Sequence, residues 1–114
     1  MSVTAAAGPA SEYLLLETRQ DDTAELFVRD ALTLVRAGHR VRLLLVGDGV
    51  GVAAGRARRT LTEFLADGGE VWVDDFTLVQ RAIPPRSLVA GVCVVSMAQV
   101  ARLLGEEHVR AVWH

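Results

Sequence analysis

Two carboxylates, Asp74 and Asp75, stand where a buried strand runs straight into a short helix, within Glu70-Val-Trp-Val-Asp-Asp-Phe-Thr-Leu-Val-Gln-Arg81. A third, Asp48, ends the preceding strand inside Gly47-Asp-Gly-Val-Gly51. Carboxylates that converge at strand ends raise one another's pKa, which suits a general base. Their oxygens would equally suit a hard cation. A plainer role competes with both: Asp74 or Asp75 caps the following helix, worth ~1 kcal/mol relative to alanine. Capping is the preferred reading.

Other groups offer less. Gly49-x-Gly51-x-x-Ala54 follows a strand and precedes a helix, with Asp74 about 20 residues on, as in a dinucleotide fingerprint. It sits after the second strand, however, and Asp48 would place a carboxylate beside the phosphates. The preferred reading is a tight strand exit using glycines at positive φ. Asp74 at the end of a third strand also suggests a receiver-type phosphoacceptor, which needs a lysine that the chain lacks. His39, His108 and His114 are not spaced as metal ligands and read as solvated turn residues. Arg56, Arg58 and Arg59 form at most an anion-binding rim, because arginine at a helix start opposes the macrodipole.

The elements that must hold these groups follow from the hydrophobic pattern. Tyr13–Leu16 reads as a first strand. Asp22 with Glu25 marks an N-cap, and Ala24, Phe27, Ala31, Leu34 and Val35 share one helical face until Gly38. Val41–Val46 is a second strand. Thr60-x-x-Glu63 reads as the cap of a helix carrying Leu61, Phe64 and Leu65, ended by Gly68-Gly69. Val71–Val73 is a third strand, and Pro84-Pro85 stops the helix after it. Val89–Val95 is a fourth strand buried on both faces, Ser96-x-x-Gln99 a capping box, and Val109–Trp113 a fifth strand. Strict alternation predicts right-handed βαβ units: a single three-layer α/β/α domain with a five-stranded parallel sheet. Ligands in such sheets bind beyond the carboxyl ends of the strands. That rule selects Thr18–Asp21, Gly47–Gly55, Asp74–Asp75 and Ser96–Met97, and within them Thr18, Arg19, Asp48, Gly49, Asp74, Asp75, Ser96 and Met97 are the pocket candidates.

Composition sets the outer bounds. At 114 residues, 51% hydrophobic and 23% charged, the chain suits one domain at residues 12–114, able to bury roughly 65% of its unfolded surface. Residues 1–11 read as a flexible tail rather than a secretory signal. The net charge of −2 gives no broad pull toward nucleic acid, and no apolar run matches a membrane span. All twelve basic residues are arginine, so Schiff-base lysine chemistry is excluded. A single cysteine, Cys93, excludes an internal disulfide and fits a reducing cytoplasm.

The segment order resembles the DsrE/DsrF/DsrH family, which includes the Tus sulfur-relay subunits. The match rests on Arg36-Ala-Gly-His39 before a strand, Gly47-Asp-Gly-Val50 after it, Leu-x-x-Phe-Leu-x-x-Gly-Gly-Glu-Val over 61–71, and Ser96-x-x-x-Val-x-x-Leu-Leu. It covers about residues 12–113. Sulfur-carrying members of that family place a cysteine at the end of the third strand, before a short helix ending in an Arg-Gly-Ile-like turn. Here the turn is Arg81-Ala-Ile83, and the cysteine position falls at Asp74, within one residue. A helix N-terminus lowers a thiol pKa and so favours sulfane-sulfur chemistry; an aspartate cannot hold a persulfide. Cys93, inside the fourth strand, is expected to be buried and inert.

The resemblance therefore implies a DsrE-like domain acting as a non-catalytic binding or assembly subunit. Trimers or hexamers, or partner subunits of the same family, are implied with it. No cofactor and no metal enter this reading. The alternatives are sulfur transfer through Cys93, or an enzyme or metal site built on Asp48, Asp74 and Asp75.

Overall fold

The order of strands decides which residues end up covered. The structure, a computed structural model, describes residues 11–56 and 58–114. Its elements are β1 (Glu12–Glu17), α1 (Asp22–Arg36), β2 (Arg40–Leu45), a 3-10 turn (Gly47–Val52), α2 (Arg59–Ala66), β3 (Glu70–Asp74), α3 (Asp75–Gln80), a second 3-10 turn (Pro85–Ser87), β4 (Cys93–Val95), α4 (Met97–Leu104) and β5 (Val109–Trp113). The sheet runs β4-β3-β2-β1-β5, and every neighbouring pair is parallel. The expected five-stranded parallel α/β sheet is what forms. The tail expected at residues 1–11 lies outside the described residues except for Ser11, which is tied down. Its N–H donates to His39 Nδ1 at 3.0 Å, and its carbonyl accepts from the Arg40 N–H at 3.0 Å.

Alternate strand positions face opposite sides of the sheet. Leu15, Val41, Leu43, Leu45, Val71 and Val73 pack under α1 and α2, with Phe64 and Leu61 completely buried and Leu78 of α3 at the margin. The opposite face offers Leu14, Leu16, Leu44 and Val95, covered by Val100 and Leu103 of α4. Toward the amino ends of the strands this second face turns ionic. Arg42, buried in β2, donates to Glu12 at 2.9 Å, lies 3.6 Å from Glu70, and sits 5.3 Å from the Trp72 ring centroid. The Arg42 hydrogen bond leads the causes that hold the Glu12 carboxyl below its ordinary range.

Several boundaries differ from the sequence reading. Asp21, not Asp22, caps α1, accepting from the Thr23 and Ala24 N–H groups at 3.0 and 3.2 Å. Thr60 is no cap: α2 starts one residue before it, the cap position is Arg58, and no side chain closes that end. Glu63 instead pairs with Arg59 at 3.5 Å and lies 3.9 Å from Arg36. The Ser96–Gln99 capping box is present as expected.

The largest departure is at the fourth strand. Only Cys93–Val95 is strand. Residues before it leave the sheet: Val89 N–H donates to Ala53 O, Leu88 bridges Ala54 antiparallel, and Gly91 turns at φ +95. As β4 is an edge strand, Cys93 is exposed rather than buried. An apolar run looks the same whether it lies mid-sheet or at an edge, and the strand order that decides between them is not written in it.

Three helices end alike. After α1, α2 and α3, the second residue beyond the cap bonds back to the third-last helical carbonyl: His39 to Leu34, Gly69 to Phe64 and Ile83 to Leu78. This Schellman closure needs a left-handed residue between, supplied by Gly38 at φ +93 and Gly68 at φ +100. After α3 that residue is Ala82, at φ +53. A Cβ in this region is strained by ~1–2 kcal/mol, more than the backbone entropy that glycine forfeits on folding. Ala82→Gly should therefore raise stability by about 0.5–1 kcal/mol in chemical denaturation; an unchanged or lower midpoint would contradict the strain assignment.

Candidate functional site

Parallel strands put the carboxyl ends of β1, β2, β3 and β4 on one edge, and the four selected loops all follow them. Three of the loops interlock. Gly47 N–H donates to Thr77 Oγ1 at 3.5 Å, Asp48 forms an ion pair with Arg81, and Val46 N–H donates to Glu17 O at 3.1 Å. Gly49 packs so closely on β1 that an added Cβ would collide with the Glu17 backbone carbonyl. At Gly51 the nearest atoms are the end of the exposed Gln20 side chain, which is free to swing aside. Positive φ is thus not the reason for these two glycines; in this loop only Gly47 and Gly55 adopt it. For Gly49 the reason is the close approach of the loop to the end of β1.

Asp74 is the residue at the resemblance's cysteine position. It ends β3 and caps α3, accepting from Thr77 N–H at 2.9 Å and from Thr77 Oγ1 at 2.6 Å. It is 2% exposed. Asp75, the next residue, is exposed at the start of α3 and makes no shared site with it. Asp48 is drawn to Arg81 instead of to Asp74. Among the described residues no group of three His, Cys, Asp or Glu side chains stands close enough to hold a metal ion. Asp48, Asp74 and Asp75 are thus not gathered as a metal-holding group.

The remaining candidates scatter. Thr18 is exposed, and its hydroxyl donates to His114 O at 2.9 Å. Arg19 contributes its backbone N–H to Glu17 at 3.0 Å while its side chain stays in solvent. Ser96 is taken up by its own capping box, and Met97 is exposed beside it. Asp21, in the first loop, has its carboxyl held below the ordinary range, chiefly by the Thr23 hydroxyl. A depressed carboxylate contributes above its unfolded pKa of 3.8, and that contribution fades as pH falls through the lower folded value.

What the sequence reading missed is the pair at the β1–β5 boundary. Glu17 is completely buried, yet it is a carboxylate. His114 Nδ1 lies 2.7 and 2.9 Å from its two oxygens, and the imidazole stacks on Phe27 at 5.0 Å between ring centroids. His114 is 28% exposed at its side chain, so it is not a solvated turn residue. The strand order reverses at this boundary, where open α/β sheets commonly form crevices. Only the charged residue ending an otherwise apolar Leu14-Leu-Leu-Glu17 run could have signalled it; its partner lies 97 residues away.

Neither family models nor curated protein sequences match this chain. Solved structures do. Protein MTH1491 from Methanobacterium thermoautotrophicum, of unknown function, is similar with a TM-score of 0.79 and 17% identity, over 91% of this chain and 99% of that one. The ychN protein from E. coli is similar at a TM-score of 0.73 and 17% identity, over 91% and 100%. BT1422 from Bacteroides thetaiotaomicron, a conserved protein of unknown function, follows at 0.58 and 19%, over 88% and 94%. At these identities the likeness establishes a shared small α/β fold.

The Glu17–His114 pair yields a direct test. His114→Ala leaves a buried carboxylate without its imidazole, and stability at pH 7 should drop by about 2–3 kcal/mol. Adding Glu17→Gln should recover part of that loss, since the orphaned charge is gone. Equal stabilities for the single and double variants would show that the two side chains do not act together.

Proposed function

We propose that this chain is a non-catalytic binding or assembly subunit related to the sulfur-relay proteins of the DsrE type, working in a reducing cytoplasm. The observation that carries the reading is the commitment of Asp74. Where a sulfur carrier of that type presents a thiol, this chain has a carboxylate whose two oxygens are spent on the backbone and hydroxyl of Thr77. An aspartate has no sulfur on which to hold a persulfide, and this one is buried. The loops around it are closed by their own contacts, Asp48 with Arg81 and Gly49 against β1. These closed contacts favour a role in association with further copies of the chain, or with partner subunits of the same fold.

One observation favours a second reading, sulfur transfer through Cys93. That thiol is exposed on edge strand β4. Its Sγ makes a weak contact, donating to Gly91 O at 4.0 Å. It stands before the Ser96 cap, not at the helix N-terminus that would favour a thiolate. Exposure alone does not make a carrier.

Intact-mass spectrometry separates the two. Native protein should react readily at Cys93 with a small thiol reagent, because access is open. Incubated with a cysteine-desulfurase persulfide donor, it should nevertheless gain no sulfur. A one-sulfur gain on Cys93, absent in Cys93→Ser, would replace the assembly reading with a carrier one.

A further inference from the structure

The surface where α3 meets β4 has both a ridge and a groove. Phe76 and Val79, three residues apart on the short helix and therefore neighbours on its surface, are 64% and 81% exposed. Val79 also forms part of the rim of a groove of about 530 Å³, whose wall includes Leu78, Ala82, Ile83, Pro84 and Val94. Asp75 and Arg86 line the same groove and carry opposite charges. Asp75 opens α3, and Arg86 follows beyond its end in the Pro85–Ser87 turn. Along one side of the patch runs β4, a sheet edge.

We propose that this patch is a two-fold interface with a second copy of the same chain. The inference rests on the assembly reading above and names its surface. In a two-fold contact, residue i meets j while j meets i, so the patch must be complementary to itself. This one is, twice over. A protruding Phe76–Val79 ridge adjoins a groove of matching apolar character, so each copy fills the other's groove. Asp75 and Arg86 then pair across the axis in both directions, each charge meeting its opposite rather than its like. A different protein would need only to supply a ridge or a groove, and nothing would require both on one face. The assembly that results has an even number of chains.

Light scattering on the purified chain at micromolar concentration should give a mass of two copies or a larger even multiple. Val79→Asp and Phe76→Asp alter exposed side chains, so circular dichroism should stay native. Each should raise the dissociation constant about a hundredfold by placing a carboxylate in an apolar contact. Arg86→Asp should weaken association severalfold by setting like charges together, and Asp75→Arg/Arg86→Asp should restore it. A monomeric wild type overturns self-association itself while leaving the sulfur-uptake result untouched. An oligomeric wild type that resists both Val79→Asp and Phe76→Asp overturns this contact alone. Failure of the double exchange to restore association overturns the two-fold pairing.

Discussion

The handedness of parallel crossovers governs most of this molecule. Each β–α–β step turns the same way, so three successive steps from β1 to β4 march in one direction and lay their helices on one face. Only the return from β4 to β5 reverses, and it alone places a helix on the other face. One face therefore carries α1, α2 and the flank of α3, whereas the other relies on the eight residues of α4. A helix that short covers Leu14, Leu16, Leu44 and Val95. It leaves Trp113 exposed at one end of the sheet and Cys93 at the other.

The same rule concentrates loops on one edge and then uses them up. Carboxylates there are engaged in structural work: Asp74 with Thr77, Asp48 with Arg81, Glu17 with His114, Asp21 with the start of α1. Each anion is neutralised by hydrogen-bond donors or a cation within its own neighbourhood, which is how charge is tolerated near a core. An edge so occupied offers a ligand few free groups. Exposed apolar side chains, in contrast, stand free on the outer side of α3 at Phe76 and Val79, and beside it at Val94 of β4.

Fold class was legible because each element announces itself locally. The Ala24, Phe27, Ala31 stripe, the Ser96–Gln99 box, and the glycines after α1 and α2 are contained within a few residues. Strand order is not local, and the exposure of Cys93 and the engagement of His114 both depend on it. Cys93 lies in an apolar run that suits a central strand; its exposure follows from β4 being last in the row. His114 looked idle because its partner belongs to the first strand. Asp74 was readable as a cap, since the carboxylate and Thr77 stand at the required spacing. Thr60 met the same spacing rule with Glu63 and failed it, because Arg58 already occupied the cap position.

The junction of β1 with β5 bears on how the chain reaches this state. Glu17 and His114 are 97 residues apart, so β5 closes the longest loop in the sheet. Loop entropy must be met before its contacts return anything. Strands β1 to β3 with α1 and α2 already share a continuous core that lacks β5 altogether. That larger body is able to order first, with β5 docking afterward along the free side of β1. By the same token β5 is the strand whose detachment disturbs least of the core. Its amides should exchange with solvent through a partial opening, while those of β2 wait for the whole molecule to unfold.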